Sequence, residues 1–192
     1  MLKSAWFSSF PHDVPLAQKW WQTIERAYQE PQRSYHTSTH IELVILLATC
    51  FHDIVYDPKA KDNERKSADL FLSFASEAGV DLVPTDDVVI IEQLILATIK
   101  HEPIPPDSSI CRFFLDLDLS ILAASWEDYC EYAKGIRVEY CIFSDAEFKT
   151  GRASVLERFL QRETLYFTPG LKEKWEALAR ENISRELLLL KD

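Results

Sequence analysis

Histidine and aspartate side chains are concentrated in one stretch of the chain, residues 35–58, which reads YHTSTHIELVILLATCFHDIVYDP. Three of the five histidines lie in it, namely His36, His40 and His52, and the last is followed directly by Asp53. Adjacent residues of a helix point about 100° apart, so this imidazole and carboxylate can bind one divalent ion, or the carboxylate can bridge two. The stretch therefore indicates metal chemistry. The alternative interpretation is that His52 and Asp53 simply end a buried helix.

Three further motifs follow the His-Asp pair in order: DNERKSA at residues 62–68, TIKHE at residues 98–102 and DLDLSIL at residues 116–122. The ordered set resembles the HD-domain superfamily, and most closely a small branch of metal-dependent phosphohydrolases. The resemblance extends from about residue 35 to residue 184. It implies an all-α bundle that binds a divalent metal and hydrolyses a phosphate ester or anhydride in a small molecule, with nucleotides among the possible substrates.

The resemblance implies four metal ligands, because His40, His52, Asp53 and Asp118 match the family pattern H…HD…D. Mixed imidazole and carboxylate ligation suits Mn²⁺, Fe²⁺, Zn²⁺ or Mg²⁺, and the pattern does not select among them. Asp118 also lies with Asp116 in an otherwise apolar segment, where a carboxylate is costly to bury unless it is paired or bound to a metal. The alternative is that Asp118 pairs with a basic side chain.

Catalytic roles follow from the same resemblance. His36 precedes His40 by one helical turn, and in this YHxxxH arrangement it resembles the histidine that protonates the leaving group in related phosphodiesterases. Asp53 is the candidate for positioning the attacking water, and Glu64 and His101 are candidates for a second metal, water activation or substrate contact. Alternatively, His36 is a surface histidine, and Glu64 is an acid of a first helical turn, favoured there by the helix dipole.

Phosphate binding needs cations as well as a metal. Lys100, Arg137 and Arg152 lie in segments that resemble the family motifs TIKH, IRxEY and GR, so they are the candidate substrate-binding residues. The alternative is ordinary salt bridging, for example of Arg137 with Glu139 or with an acid on another helix.

One spacing departs from the family pattern. Only eleven residues separate His40 from His52, whereas HD proteins have a connection long enough to turn back. In one straight helix the two Cα atoms would lie about 18 Å apart, too far for side chains that bind an ion at about 2.0–2.2 Å. The intervening residues include no Gly, Pro, Asn or Asp for a tight turn. Either His40 is not a ligand, or the chain bends without a local signal, or a connecting segment is missing near Leu43 and Val44, which we favour.

Size and composition restrict the class of protein. The 192 residues, 47% hydrophobic and 27% charged, suit one globular domain over residues 1–192. A formal net charge of −10 argues against nucleic acid binding, and no apolar run reaches membrane-spanning length. The four cysteines form no CxxC pair and are typical of buried free thiols in a reducing compartment. We therefore expect a cytoplasmic protein with a small anionic substrate; its oligomeric state stays open.

Helical patterns fill the chain, with apolar residues at helical spacing and the four glycines and the prolines near segment edges. They predict a single-domain HD-type bundle of roughly seven to eight helices, in which His52, Asp53 and Asp118 lie together at the mouth and His40 completes the set. The predicted helices cover residues 15–30, 44–54, 63–78, 85–100, 109–124, 126–143, 146–163 and 171–190.

Two other functions stay open at this point. The first is a ligand-sensing or scaffold protein that keeps the HD fold without turnover, which the short His40 to His52 spacing would favour. The second is an HD-type oxygenase with a di-iron centre, which the additional histidines His36 and His101 suggest without establishing it.

Overall fold

The computed structural model describes residues 38–106 and 108–191, together with six helical positions between Val14 and Gln22. Every regular element in this part of the chain is a helix, so the all-α prediction is confirmed for it. The predicted helix at residues 15–30 falls largely outside the described residues. The α-helices are α1 (Ser38–Phe51), α2 (Asn63–Ala78), α3 (Thr85–Ala97), α4 (Ser109–Asp118), α5 (Trp126–Glu139), α6 (Asp145–Gln161) and α7 (Pro169–Lys191), and a 3₁₀ helix (Leu119–Ala123) continues α4.

Local signals explain where three helices begin and where one ends. Ser108, Ser125 and Ser144 precede α4, α5 and α6, and each side-chain oxygen accepts a hydrogen bond from a backbone N–H of the first turn. Gly79 ends α2 as predicted, with a positive φ of 77° that glycine adopts readily. The predicted end of α3 at Lys100 is wrong, because the helix stops at Ala97 and continues as a turn.

Two hydrophobic clusters hold the helices together. The first lies among α1 to α4 and includes Phe71, Ile95 and Leu115, while the second joins the 3₁₀ helix to α5, α6 and α7 and includes Leu122 and Ile183. Each large apolar side chain that becomes fully buried contributes about 1.5–3 kcal/mol. Since α4 belongs to the first cluster and the 3₁₀ helix to the second, the last residue of α4 lies at the junction of the two clusters.

Helix α1 runs without a break through residues 43 and 44, and the backbone N–H of His52 still donates to the carbonyl of Ala48 at 2.9 Å. His40 and His52 are therefore twelve residues apart on one continuous helix, about 18 Å at 1.5 Å per residue. The structure has neither the bend nor the interruption that would bring them together. In this chain the prediction that His40 shares an ion with His52 is wrong, because the helix holds the two residues apart.

Asp116 has a structural role that needs no metal. Its side chain is fully buried, and its carboxylate accepts hydrogen bonds from the backbone N–H groups of Phe167 at 2.8 Å and Thr168 at 2.7 Å. Helix α7 begins at Pro169, so the charge lies at a helix N-terminus, where an anion is favoured. One of the two acids in the apolar segment is thereby explained by tertiary hydrogen bonding.

We expect Asp116→Ala to lower the free energy of unfolding by about 2 to 4 kcal/mol, because two backbone donors lose their acceptor. Asp116→Asn keeps the shape and one acceptor oxygen, so its loss should be smaller. Urea denaturation followed by circular dichroism measures both values. If the alanine variant were as stable as the wild type, this carboxylate would not hold the start of α7.

Two expectations about composition can now be compared with the fold. All four cysteines are free, but only Cys111 is buried; Cys50 and Cys141 are exposed and Cys130 is half-buried. The prediction of free thiols is confirmed, and the prediction that they are buried is correct for Cys111 alone. Among the described residues, no helix combines the length and the apolar character needed to cross a membrane.

Candidate metal centre

Four side chains capable of metal binding or proton transfer meet where α1 ends, α3 is followed by its turn and α4 ends. Asp118 lies between two imidazoles: its Oδ2 is 3.0 Å from Nε2 of His101, and its Oδ1 is 3.4 Å from Nε2 of His52. The same nitrogen of His52 lies 3.3 Å from Oδ2 of Asp53. The structure thus brings His52, Asp53 and Asp118 together, as the sequence predicted, and adds His101 to them. We call these four residues the His-Asp cluster.

The ring of His52 is held in a defined orientation. Its Nδ1 lies 2.9 Å from the carbonyl oxygen of Thr49, so Nδ1 donates its proton there and Nε2 faces the carboxylates. Metal-binding histidines are usually anchored in this way through the nitrogen that does not touch the metal. The hydrogen bond to Asp118 raises the pKa of His52 to about 9, although burial opposes the increase. Without a bound metal, His52 is therefore an imidazolium at neutral pH.

Asp118 is the less exposed of the two carboxylates in the cluster. Its side chain is 23% exposed, compared with 61% for Asp53. Burial by itself raises the pKa of Asp118, but the hydrogen bonds from His101 and His52 outweigh it and hold the pKa well below its usual range. The carboxylate is therefore ionised at neutral pH, with one imidazole on each oxygen.

His101 reaches the cluster from an unusual backbone conformation. Its φ is 50°, in the left-handed region that residues other than glycine seldom adopt. Such a conformation costs about 1–3 kcal/mol and persists only where the surrounding structure enforces it. The ring of Phe159 packs edge-on against the imidazole, with the ring centroids 6.0 Å apart.

The side chains of the His-Asp cluster are of the types that bind a divalent ion. Imidazole nitrogens and carboxylate oxygens are the donors that Mn²⁺, Fe²⁺ and Zn²⁺ accept. The donor atoms lie 3.0 to 3.4 Å from one another, and among the described residues no group of three or more His, Cys, Asp or Glu side chains is placed to hold a metal ion. An ion would have to replace the protons between these nitrogens and oxygens, and the side chains would have to turn their lone pairs toward it.

The loop that carries Asp53 is fixed to α2 by residues of the DNERKSA motif. The Asn63 side chain accepts a hydrogen bond from the Asp57 N–H at 3.1 Å and donates one to the Asp57 carbonyl at 2.9 Å. The Ser67 hydroxyl oxygen accepts from the Val55 N–H at 3.1 Å. Part of this motif therefore has a structural function. Glu64 of the same motif lies in the first turn of α2 and also lines the cavity beside the cluster, so a role in the site and a role at the helix N-terminus are both compatible with its position.

A cavity of about 690 Å³ lies beside the His-Asp cluster and is lined by all four of its residues. This volume is within the range of small-molecule sites. Most of the remaining wall comes from the loop after α1 and from α5 and α6. The aromatic side chains of the wall are Tyr56, Tyr132, Tyr140, Phe143, Phe148 and Phe159, and its further acids are Glu139 and Glu147.

Of the three predicted substrate cations, Arg152 alone lines the cavity. Its guanidinium is 9% exposed and binds both carboxylate oxygens of Glu186, at 2.7 and 3.0 Å. Arg137 pairs with Asp145 on α6 at 2.6 Å and donates to two backbone carbonyls after α5, which confirms the alternative of salt bridging to another helix. Lys100 is exposed and lies outside the cavity wall. Lys100 and Arg137 therefore lie outside the wall of this cavity, and their substrate contacts stay predictions.

Sequence reasoning missed the tyrosines of the cavity wall. The hydroxyl of Tyr56 donates to Oε2 of Glu139 at 2.8 Å and so joins the loop that carries Asp53 to α5. The ring of Tyr132 lies 5.3 Å from the Arg152 guanidinium carbon. Tyr56 and Glu139 lie in two of the stretches singled out in the sequence, HDIVYDP and IRxEY. Their position in these stretches was the signal that could have identified them as residues of the site.

Any conclusion about the function of this chain rests on the geometry of the His-Asp cluster and its cavity. His36 and the side chain of His40 lie outside the described residues, so the structure tests neither the proton-donor role of His36 nor the direction of the His40 imidazole. Comparison of the chain with protein-family models, with curated proteins and with solved structures finds no match in any of the three.

Proposed function

We propose that this protein is a divalent-metal-dependent phosphohydrolase of the HD type, cleaving a phosphate ester or anhydride in a small molecule. The observation that carries the proposal is the convergence of His52, Asp53, His101 and Asp118 on one wall of a 690 Å³ cavity. In this proposal His52, Asp53 and Asp118 hold the metal, and His101 takes the ligand position that His40 is too distant to fill. A bound divalent ion supplies an acidified water and polarises the phosphoryl oxygen.

The remaining steps are assigned to side chains of the chain itself. Asp53 has the more exposed carboxylate of the cluster, and it orients the attacking water. If His101 is engaged as a ligand, Glu64 is the cavity acid that donates a proton to the leaving group. His36 stays a predicted proton donor outside the described residues.

The composition of the cavity wall indicates which groups would bind the phosphate of the substrate and which would bind its organic part. Arg152 is already neutralised by Glu186, and the other charged side chains of the wall apart from the histidines are acids. The metal would therefore balance most of the phosphate charge. The aromatic side chains of α5 and α6 would pack against the organic part of the substrate, for which a nucleotide base is one candidate.

A second function is favoured by the uninterrupted α1 helix. Because His40 and His52 cannot share an ion, the H…HD…D set is one ligand short unless His101 replaces His40. A chain of this kind could bind a metal or a phosphate compound as a sensor without turnover. Bound metal in the wild type together with no hydrolysis of any phosphate compound would support the sensor.

We expect Asp53→Ala to lose phosphate release by more than about 100-fold and most of its bound metal, since even outer partners of a metal ligand contribute 10–100-fold. The fold should survive, because the side chain is exposed and neither hydrophobic cluster includes it. The measurements are elemental analysis and turnover with nucleotides and sugar phosphates in the presence of Mn²⁺, Fe²⁺, Zn²⁺ or Mg²⁺.

The matched control is Asp57→Ala, which removes another exposed carboxylate of the same loop. Asp57 accepts a hydrogen bond from the Lys59 N–H at 2.9 Å and does not line the cavity. Its loss should leave metal content and turnover close to those of the wild type. Equal activity of the Asp53 variant and the wild type would refute the hydrolytic mechanism.

A further inference from the structure

One arginine from a distant part of the chain forms hydrogen bonds with the backbone of the turn after α3. Arg162 follows α6, and its Nη1 donates to the carbonyl oxygen of His101 at 3.1 Å while its Nη2 donates to the carbonyl oxygen of Lys100. Both acceptors lie in the segment where His101 takes its left-handed conformation. The guanidinium therefore fixes the two peptide groups that set the direction of the His101 side chain.

The same arginine also supports the imidazole indirectly. The Arg162 guanidinium carbon lies 4.9 Å from the ring centroid of Phe159, and this ring packs edge-on against His101. A planar guanidinium can bind two carbonyls and stack on an aromatic face at once, whereas a lysine ammonium cannot reproduce that geometry. Arg162 thus contacts the backbone of His101 directly and its ring through Phe159.

Helix α7 fixes the position of Arg162 in turn. Nη2 of Arg180 donates to the carbonyl oxygen of Arg162 at 2.7 Å, and Nη1 donates to that of Leu160 at 3.0 Å. Arg180 is itself paired with Glu176 at 2.7 Å. A continuous set of contacts therefore runs from α7 through the end of α6 to the turn that carries His101.

We propose that Arg162 is a positioning residue, which holds the strained turn at residue 101 so that Nε2 of His101 points at Asp118. The effect on metal binding and turnover rests on the function proposed above. The effect on the direction of the imidazole does not, because the contact between His101 and Asp118 involves protein side chains alone.

The test is nuclear magnetic resonance of protein labelled with ¹⁵N and ¹³C at histidine, without added metal. The His101 signals are assigned by their absence from His101→Gln. In Arg162→Ala we expect these signals to move to those of a histidine without a carboxylate partner, while the His52 signals keep their positions. We expect Mn²⁺ affinity to fall about 10- to 100-fold, as for other groups that orient a metal ligand.

Two further variants test whether the effect depends on the two hydrogen bonds that the Arg162 guanidinium donates to the carbonyls of Lys100 and His101. Arg162→Lys keeps the charge without the two-carbonyl geometry, so its His101 signals should lie between those of the wild type and Arg162→Ala. Arg158→Ala removes an exposed arginine one turn earlier on α6 and should leave the spectrum unchanged. If Arg162→Ala does not fold, the positions of the His101 and His52 signals in Arg162→Lys test the proposal in its place.

Unchanged His101 signals in the folded Arg162 variants would overturn the positioning role, whatever the wild type does with phosphate compounds. Equal displacement of the His52 and His101 signals would also overturn it, because the arginine would then stabilise the whole site. A wild type that binds no metal and releases no phosphate refutes the proposed function, and displacement of the His101 signals alone would still support the assignment of Arg162.

Discussion

Asp118→Asn is expected to remove metal binding and to lower phosphate release by more than about 100-fold, because this residue joins both histidines of the cluster. Each carboxylate oxygen has its own imidazole, at 3.0 Å for His101 and 3.4 Å for His52. Asparagine preserves the shape but removes the charge and one of the two oxygens. His52 and His101 would then no longer share one anionic partner.

Asp116→Asn is the matched control for this substitution. Both aspartates lie in the same helix, α4, but Asp116 binds the backbone N–H groups at the start of α7 and not the histidines. The control should lose stability and keep its metal content per folded molecule. Elemental analysis, Mn²⁺ titration calorimetry and turnover separate the two effects. Retention of metal and activity by Asp118→Asn would refute the metal centre.

Arg152→Met is expected to lower the free energy of unfolding by about 3–5 kcal/mol, the largest stability effect among the substitutions considered. The change leaves the carboxylate of Glu186, which is 8% exposed, without its cation. The hydroxyl of Tyr129 still donates to Glu186 at 2.5 Å, but a neutral donor does not replace the bidentate guanidinium. The loss reflects an uncompensated buried charge more than the strength of the pair itself.

The double variant Arg152→Met with Glu186→Leu removes both charges and should recover most of the lost stability, since apolar replacements often match a buried ion pair. The recovery should be incomplete, because the buried hydroxyl of Tyr129 loses its acceptor. The control Lys134→Ala breaks an exposed pair with Glu131 and should give no measurable change. Urea denaturation measures all three variants. If the single and double variants were equally unstable, the buried-charge explanation would be wrong.

The double variant also decides between the two interpretations of Arg152. A folded, stable protein that has lost turnover would support the substrate-binding role predicted for this residue. A folded, stable protein with wild-type turnover would leave Arg152 with its structural role against Glu186. Because stability is restored in this variant, a loss of activity would not be a consequence of unfolding.

The sequence by itself determined the helical elements of the described part, because the signals for them are local. Serine caps act within the first turn, Gly79 acts at the last turn, and apolar residues recur every three to four positions along each helix. The absence of turn-forming residues between His40 and His52 agrees with the continuous helix α1, although we predicted a helix over residues 44–54 only. Our preference for a missing connection came from the family resemblance and has no counterpart in this structure.

Apart from the set His52, Asp53 and Asp118, which the family resemblance predicted, only the tertiary structure decided which polar side chains meet. Asp116 and Asp118 lie in the same apolar segment, yet the first binds backbone groups 51 and 52 residues away and the second binds His101 and His52. Arg162 reaches carbonyls 61 and 62 residues earlier in the chain. These partners follow from how the helices pack, and helix packing depends on the whole apolar surface of each helix. No pattern within a few residues of Asp116, Asp118 or Arg162 could therefore specify them.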